Sequence, residues 1–352
     1  MSSENFEASA GGADSSVAEF DIRQKSALDR MQHFLHGNPA MVPVIILVLS
    51  VAVFGVIAGD RFFSMFNLSL IMQQVAIVGI LACAQTLIIL TAGIDLSVAA
   101  IMVLSSVIMG HLSVTHGLPT FLAILIGIAV AMGCGFMNGM FVTRFKLPPF
   151  IVTLGTWQVF LAVTYLYTGS QSIRSQDIDN SAPLLKFFGE RIFVGGAVIT
   201  TGVILMVVLF AVFWYVLNRT AWGRHVYAVG DDKDAAELAG IQSDKVLVSV
   251  YVVAGFICGL GAWASIGRVG SVSPTSFFEG NLDSITAVVI GGTSLFGGRG
   301  AILGALFGAL IVGVFSSGIK LAGADPQWEL FAIGWLIIVA VALDQWIRRV
   351  SA

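Results

Sequence analysis

Charge is what this sequence has least of. Of its 352 residues only 11% are charged, against about 25% in a soluble globular domain, and so few cannot cover a water-facing surface. Cysteine is nearly missing as well. Cys83, Cys134 and Cys258 lie in apolar stretches with no CxxC or Cys/His spacing, which argues against a disulfide framework and against a metal site. No lysine follows a glycine, so the chain has no phosphate-cradling GK[ST] loop and no means of hydrolysing a nucleotide. The five histidines form no HExxH, and no Ser/His or Asp pair in the apolar segments has catalytic spacing. An enzyme is therefore a poor reading, no catalytic residue is assigned, and no cofactor is expected to be bound by this chain. Carboxylates of the kind that relay protons or bind coupling ions inside a membrane are also scarce. The net charge of -3 is unpatterned and gives no footprint for nucleic acid.

What is there is apolar: 57% of the residues are hydrophobic. The charge-free runs 62–94, 96–143 and 193–217 each reach or exceed the ~20 residues that cross a hydrocarbon core as helix. They are continuous rather than alternating, which excludes a barrel. The expected fold class is all-α, a polytopic membrane protein of about ten transmembrane helices in the lipid bilayer: 41–58, 67–90, 96–110, 118–142, 150–168, 194–217, 246–266, 284–296, 300–320 and 328–347. Residues 1–39 form an N-terminal tail, rich in Ser, Ala, Gly and acids up to residue 19, with no cleavable signal peptide before the first span. Leu28, Met31 and Leu35 at helical spacing suggest either a short interfacial helix or a solvated linker. The transmembrane domain is 40–347, and 348–352 is the C-terminus.

Basic residues set the orientation. With the amino terminus inside, the cytosolic segments hold Arg23, Lys25, Arg30, Arg144, Lys146, Arg219, Arg224, Lys233, Lys245, Arg299, Arg348 and Arg349. The outer segments hold Arg61, Arg174, Lys186, Arg191, Arg268 and Lys320. The two-to-one bias favours both termini in the cytosol.

Spans 96–110 and 284–296 are too short for a bilayer and border Thr91-Ala92-Gly93-Ile94-Asp95 and Gly297-Gly298-Arg299-Gly300, as interrupted helices do. They are the third and eighth spans and run in opposite directions, as an inverted repeat relating spans 2–5 to spans 7–10 would require. Asp95 reads either as an N-cap for Leu96, Ser97 and Val98 or as part of a gate. Gly135/Gly139 and Gly300/Gly304/Gly308 form GxxxG steps, serving internal packing or a subunit interface. Gln74 and Gln85 share a face of the second span, and Asn138, Thr153, Trp157 and Gln158 add polar or amphipathic groups nearby. They are either interhelical hydrogen-bond links or the lining of a hydrated pathway. In the long loop 218–245, Asp231 is expected to cap a short helix whose N-terminus Asp234 favours and which Gly240 stops, with Ala235, Ala236 and Glu237 between them. That helix is either a plain surface helix or a docking element.

Four blocks, in order, resemble the permease subunits of ribose- and fructose-type monosaccharide ABC importers: Thr91-Ala92-Gly93-Ile94-Asp95-Leu96-Ser97-Val98, Thr153-Leu154-Gly155-Thr156, Gly223 to Gly230 followed by Ala235-Ala236 and Gly240-Ile241, and Ile290 to Gly300. The resemblance covers about residues 40–347. It implies a bacterial inner-membrane importer in which two permease copies form the pore, separate cytosolic subunits use ATP, and a periplasmic sugar-binding protein delivers substrate. It also implies that 218–245 is the coupling loop, although the wider superfamily has Glu-Ala-Ala where this chain reads Ala235-Ala236-Glu237. The alternative is a stand-alone secondary sugar carrier or channel.

Overall fold

The structure, a computed structural model, describes residues 41–277, 279–325 and 327–348. The expected tail over 1–39 and the residues from 349 on lie outside it. Among the described residues the chain is a bundle of apolar helices: α1 (Met41–Ala58), the short α2 (Asp60–Phe63), α3 (Met65–Leu90), α4 (Val98–Gly110), α5 (Thr120–Arg144), α6 (Pro149–Thr168), α7 (Ser175–Ser181), α8 (Thr201–Arg219), α9 (Ala221–Asp231), α10 (Lys233–Leu238), α11 (Ser243–Val269), α12 (Gly280–Ile290), α13 (Ile302–Leu321) and α14 (Gln327–Arg348). Among the described residues eight segments are long and apolar enough to cross a membrane, and α12 and the stretch Gln327–Ala342 of α14 are shorter apolar segments. This is the polytopic all-α architecture expected from the hydrophobic runs.

Two expected spans are corrected. The run 194–217 becomes a helix only from Thr201; before it, strands β1 (Arg191–Val194) and β2 (Ala197–Thr200) pair antiparallel. Gly195 and Gly196 have φ of 55° and 88°, the positive values that a two-residue hairpin turn needs to match the strand twist. Ser69 Oγ accepts from Val198 N–H at 2.8 Å, and Gln73 Nε2 donates to Val198 C=O at 3.2 Å, so the hairpin is pinned to α3. The third span is not short either. A π-helical turn, His111–Thr115, prolongs α4, giving 18 residues from Val98 to Thr115. Only α12 remains truncated, its 11 residues covering ~16 Å of a ~30 Å hydrocarbon core.

Packing carries the signature of the repeat. α5 lies along α11 as α3 lies along α13; α4 touches α5 and α11 as α12 touches α13 and α3; α6 docks on α4 as α14 docks on α12. Exchanging α3–α6 with α11–α14 maps each contact onto its mate. The glycine steps make these contacts close. A Cβ on Gly135 would collide with Tyr251 C=O and one on Gly255 with Ala131 C=O; one on Gly308 would meet Ala287 C=O and one on Gly304 the Gly291 C=O. Both GxxxG series therefore serve internal helix packing, where no hydrophobic driving force exists and close dispersion contact must replace it. One part of the expected symmetry fails. The first break precedes α4 and the second follows α12, and because these helices run oppositely, both breaks open on one face of the bundle. By the repeat, the mate of 91–97 is the segment that follows α11 from Gly270 to Phe277, on the other face.

Candidate functional site

The first break is a set of satisfied backbone groups. α3 ends with Ala92 at φ 60°, and the chain then enters α4 with its amides unpaired by any preceding helical turn. Three of them find side chains. Leu96 N–H donates to Thr153 Oγ1 at 3.1 Å, Ser97 N–H to Asp95 Oδ1 at 2.6 Å, and Ala99 N–H to Asn281 Oδ1 at 2.7 Å. The Asp95 carboxylate also accepts from Ser97 Oγ at 2.6 Å and from Asn138 Nδ2 at 3.4 Å, and the same Nδ2 reaches Ser97 Oγ at 2.9 Å. The Gln85 carboxamide, turned so that both its atoms are satisfied, spans Asp95 N and O at 3.3 and 3.1 Å. Asp95 thus holds the turn before α4 rather than capping Leu96, Ser97 and Val98 together. Gln85, Asn138 and Thr153 are all fully buried. Of the two readings of these polar groups, the geometry is that of interhelical links.

The second break is built from backbone. Ser294 N–H donates to Arg299 C=O at 3.0 Å and Gly297 N–H to Ser294 C=O at 3.1 Å, closing a tight loop. Gly297, Gly298 and Gly300 have φ of 82°, 68° and 141°, conformations that cost an L-residue but not glycine. Arg299 points outward from this loop and is exposed.

Between the two breaks sits α9. Gly298 N–H donates to Leu90 C=O at 3.0 Å, joining the breaks directly. A Cβ on Gly230, in the last turn of α9, would collide with Leu90 C=O and come within 2.8 Å of Gly298 N. A Cβ on Gly298 would sit 2.6 Å from Asp231 Cα, and one on Gly297 2.5 Å from Gly230 C=O. One turn earlier on α9, Tyr227 O–H donates to Gly300 C=O at 2.9 Å. Three segments far apart in sequence therefore meet backbone to backbone. Beside them a cavity of about 670 Å³ is lined by Gly93, Lys146, Tyr251, Gly230, Asp231 and Phe296.

The expected helix of the long loop is shifted. Asp231 ends α9, and Asp232 is the residue that caps α10, accepting from Asp234 and Ala235 N–H at 2.9 and 3.0 Å. Sequence alone could not choose between adjacent aspartates; the contact of Asp231 with Gly298 decides it. Gly240, at φ 86°, ends the segment, its N–H donating to Glu237 C=O and that of Ile241 to Ala236 C=O. Ala236 is 5% exposed and packs on its own chain, whereas Ala235, Glu237 and above all Leu238, 91% exposed, face outward. Nothing in the capping pattern of the loop points to Leu238; its exposure follows from burial of Ala236 on the opposite side of α10. Glu237 is 3.9 Å from Lys233, which reaches Asp244 at 2.8 Å.

The remaining polar residues separate. Gln74 donates to Ser316 Oγ at 2.9 Å and lines a second cavity of about 450 Å³ with Glu279, Asp283, Lys320, Gln327 and Glu329. Lys320 bonds Ser316 Oγ at 2.8 Å and lies 3.5 Å from Glu329. Trp157 is half-buried and Gln158 is exposed on α6, away from both cavities. Among the described residues no three His, Cys, Asp or Glu side chains form a metal-binding group.

Comparison with known proteins places this geometry. The family model described as branched-chain amino acid transport system / permease component matches residues 67–341. The fructose import permease protein of Rhizobium meliloti is 59% identical over 99% of this chain and 97% of its own length. The ribose import permease protein of Bacillus subtilis is 38% identical over 82% of this chain and 88% of its own, and the galactose/methyl galactoside import permease protein of Escherichia coli is 29% identical over 91% and 97%. No solved structure matches the chain.

Proposed function

The chain belongs to the permease-component family of binding-protein-type transport systems, and from that premise we propose that it is the membrane subunit that carries a monosaccharide of the fructose–ribose type across the bacterial inner membrane by alternating access. The permeases of fructose and ribose import that it resembles over 97% and 88% of their lengths support the substrate class. In this reading the energy comes from a separate ATP-binding subunit in the cytosol, sugar arrives on a periplasmic binding protein, and a second copy of the chain completes the pore. The termini and the α9–α10 face lie in the cytosol, in keeping with the basic residues there.

The observation that carries the mechanism is the junction of α9 with both breaks. An element outside the bundle that touches Leu90, Gly298 and Gly300 at once can bias two interrupted helices together, which is what a rigid-body switch driven by a partner requires. α10 presents Leu238, Ala235 and Glu237 to the ATPase, while buried Ala236 anchors it to α11 and α9. The chain's own residues position and move; none makes or breaks a bond in the sugar. Gln74, Glu279, Asp283 and Lys320 around the 450 Å³ cavity offer hydrogen-bond partners to sugar hydroxyls. The chain alone in liposomes, and then with the ATPase and binding protein, tests the reading. Uptake that needs both partners and ATP is expected; sugar uptake by the chain alone under an ion gradient would establish the secondary carrier instead.

A further inference from the structure

Where α5 ends and α11 begins, the two helices leave a groove of about 640 Å³. Its walls are mostly apolar: Met140 on α5 faces Val248, Val252 and Val253 on α11, and the hydroxyls of Thr143 and Ser249, which also line it, donate to Gly139 and Val246 C=O of their own helices. Its rim is basic. Arg144, Lys146 and Lys245 all border it and all are exposed. Among the described residues none of the three has an ion pair or a side-chain hydrogen bond. The one acid on the rim, Asp244, is already engaged by Lys233 at 2.8 Å. Lys146 has φ 51°, a left-handed conformation uncommon for a residue with a side chain.

The position of the groove narrows what can fill it. Arg144 is the last residue of the 25-residue span α5, and Ser243 the first of the 27-residue span α11, so the rim lies at the membrane–water boundary and the walls run into the hydrocarbon. The groove floor is fixed, because a Cβ on Gly139 would come within 3.0 Å of Val248 Cα. A ligand must therefore place alkyl chain against valines and methionine while presenting anionic charge to three unpaired cations. We propose that this groove is a binding site for one anionic phospholipid, its phosphate between Arg144, Lys146 and Lys245 and an acyl chain along Val248 and Val252. Basic pockets between membrane helices suit such headgroups. The site is independent of which solute the chain carries.

Native mass spectrometry of the full chain in detergent, delipidated and then titrated with phosphatidylglycerol or with phosphatidylcholine of the same acyl chains, tests this. One phosphatidylglycerol per chain should persist after detergent removal, with no phosphatidylcholine retained at equal concentration. Arg144→Gln, Lys146→Gln and Lys245→Gln should each weaken retention about fivefold, with unchanged thermal unfolding in lipid-free detergent. Val252→Asn should weaken it while leaving every charge in place. Inorganic phosphate in excess should not displace the lipid. Displacement by phosphate, equal retention of both lipids, retention unchanged in the triple Gln variant, or a disulfide between Met140→Cys residues of two copies, which would make the groove a subunit contact, would each overturn the assignment.

Discussion

The two helix breaks pose one problem and answer it in opposite ways. At 91–99, backbone groups between α3 and α4 are taken up by the side chains of Gln85, Asp95, Thr153 and Asn281, while Asn138 braces the Asp95 and Ser97 side chains. At 291–300, the chain closes on itself with its own amides and four glycines, Gly292, Gly297, Gly298 and Gly300, at positive φ. A polar network is sensitive to the loss of a partner, because an orphaned buried donor costs ~1–3 kcal/mol. A backbone joint is sensitive to volume, because there is no side chain to move aside. The difference teaches where each break can fail, and it makes the first a fixed strut and the second the surface against which α9 works.

Volume at the joint should produce the largest effect. Gly230→Val places a branched side chain on the Leu90 carbonyl and beside Gly298 N. Overpacking of this kind costs ~1–3 kcal/mol or more, so thermal unfolding of the purified chain should fall by several degrees and reconstituted uptake by at least about tenfold. Gly133→Ala, in α5 with open space around it, is the control and should be neutral. Equal behaviour of the two variants would remove the close approach from the argument.

Charge at the strut comes next. Asp95→Leu removes the acceptor of Ser97 N–H and of the Ser97 hydroxyl, while Asn138 keeps its bond to Ser97 Oγ; two unsatisfied donors give an expected loss of about 3 kcal/mol. Asp95→Asn keeps an acceptor for Ser97 and should cost about 1 kcal/mol, with transport near normal. A well-inserted Asp95→Asn protein that transports nothing would show that the carboxylate acts through its charge and not through these hydrogen bonds.

Much of this architecture was legible because membrane crossing has one strong rule: span ends such as Ala58, Leu90 and Thr168 are where uninterrupted apolar sequence stops. The hairpin was hidden for the same reason. Val194, Val198 and Ile199 are as apolar as a span, and only Gly195-Gly196 marks the turn. Both breaks were readable from Asp95 and the glycines, but not that they share a face; that depends on which end of each helix is interrupted. Nor could periodicity tell that Gln85 points to the Asp95 backbone while Gln74, on the same helix, points to Ser316. The second cavity draws on Gln74, Glu279, Asp283, Lys320 and Glu329, which nothing in a linear reading brings together.

That divergence predicts chemistry. Gln74→Cys borders a cavity of about 450 Å³ and should react with small aqueous thiol reagents, whereas Gln85→Cys, at 0% exposure, should not. Labelling rates differing by at least about tenfold are expected. Comparable rates would mean that water reaches the first break and that its polar side chains line a pathway after all.

The smallest change tests the link between the two designs. Tyr227 reaches from α9 to Gly300 through a single hydrogen bond of 2.9 Å, and burial pushes its phenol pKa up, so the donor stays protonated through neutral pH and the bond should not titrate there. Tyr227→Phe keeps the ring packed and removes only that bond, worth ~1 kcal/mol. If α9 moves the second break by close packing alone, through Gly230 and Gly298, uptake per ATP hydrolysed should be unchanged. If the bond is what pulls on Gly300 when α9 shifts, thermal stability should barely change while uptake per ATP falls, by no more than about the fivefold that ~1 kcal/mol allows. The second outcome is expected, because packing at Gly230 can push the glycine loop but only the hydroxyl can draw it back.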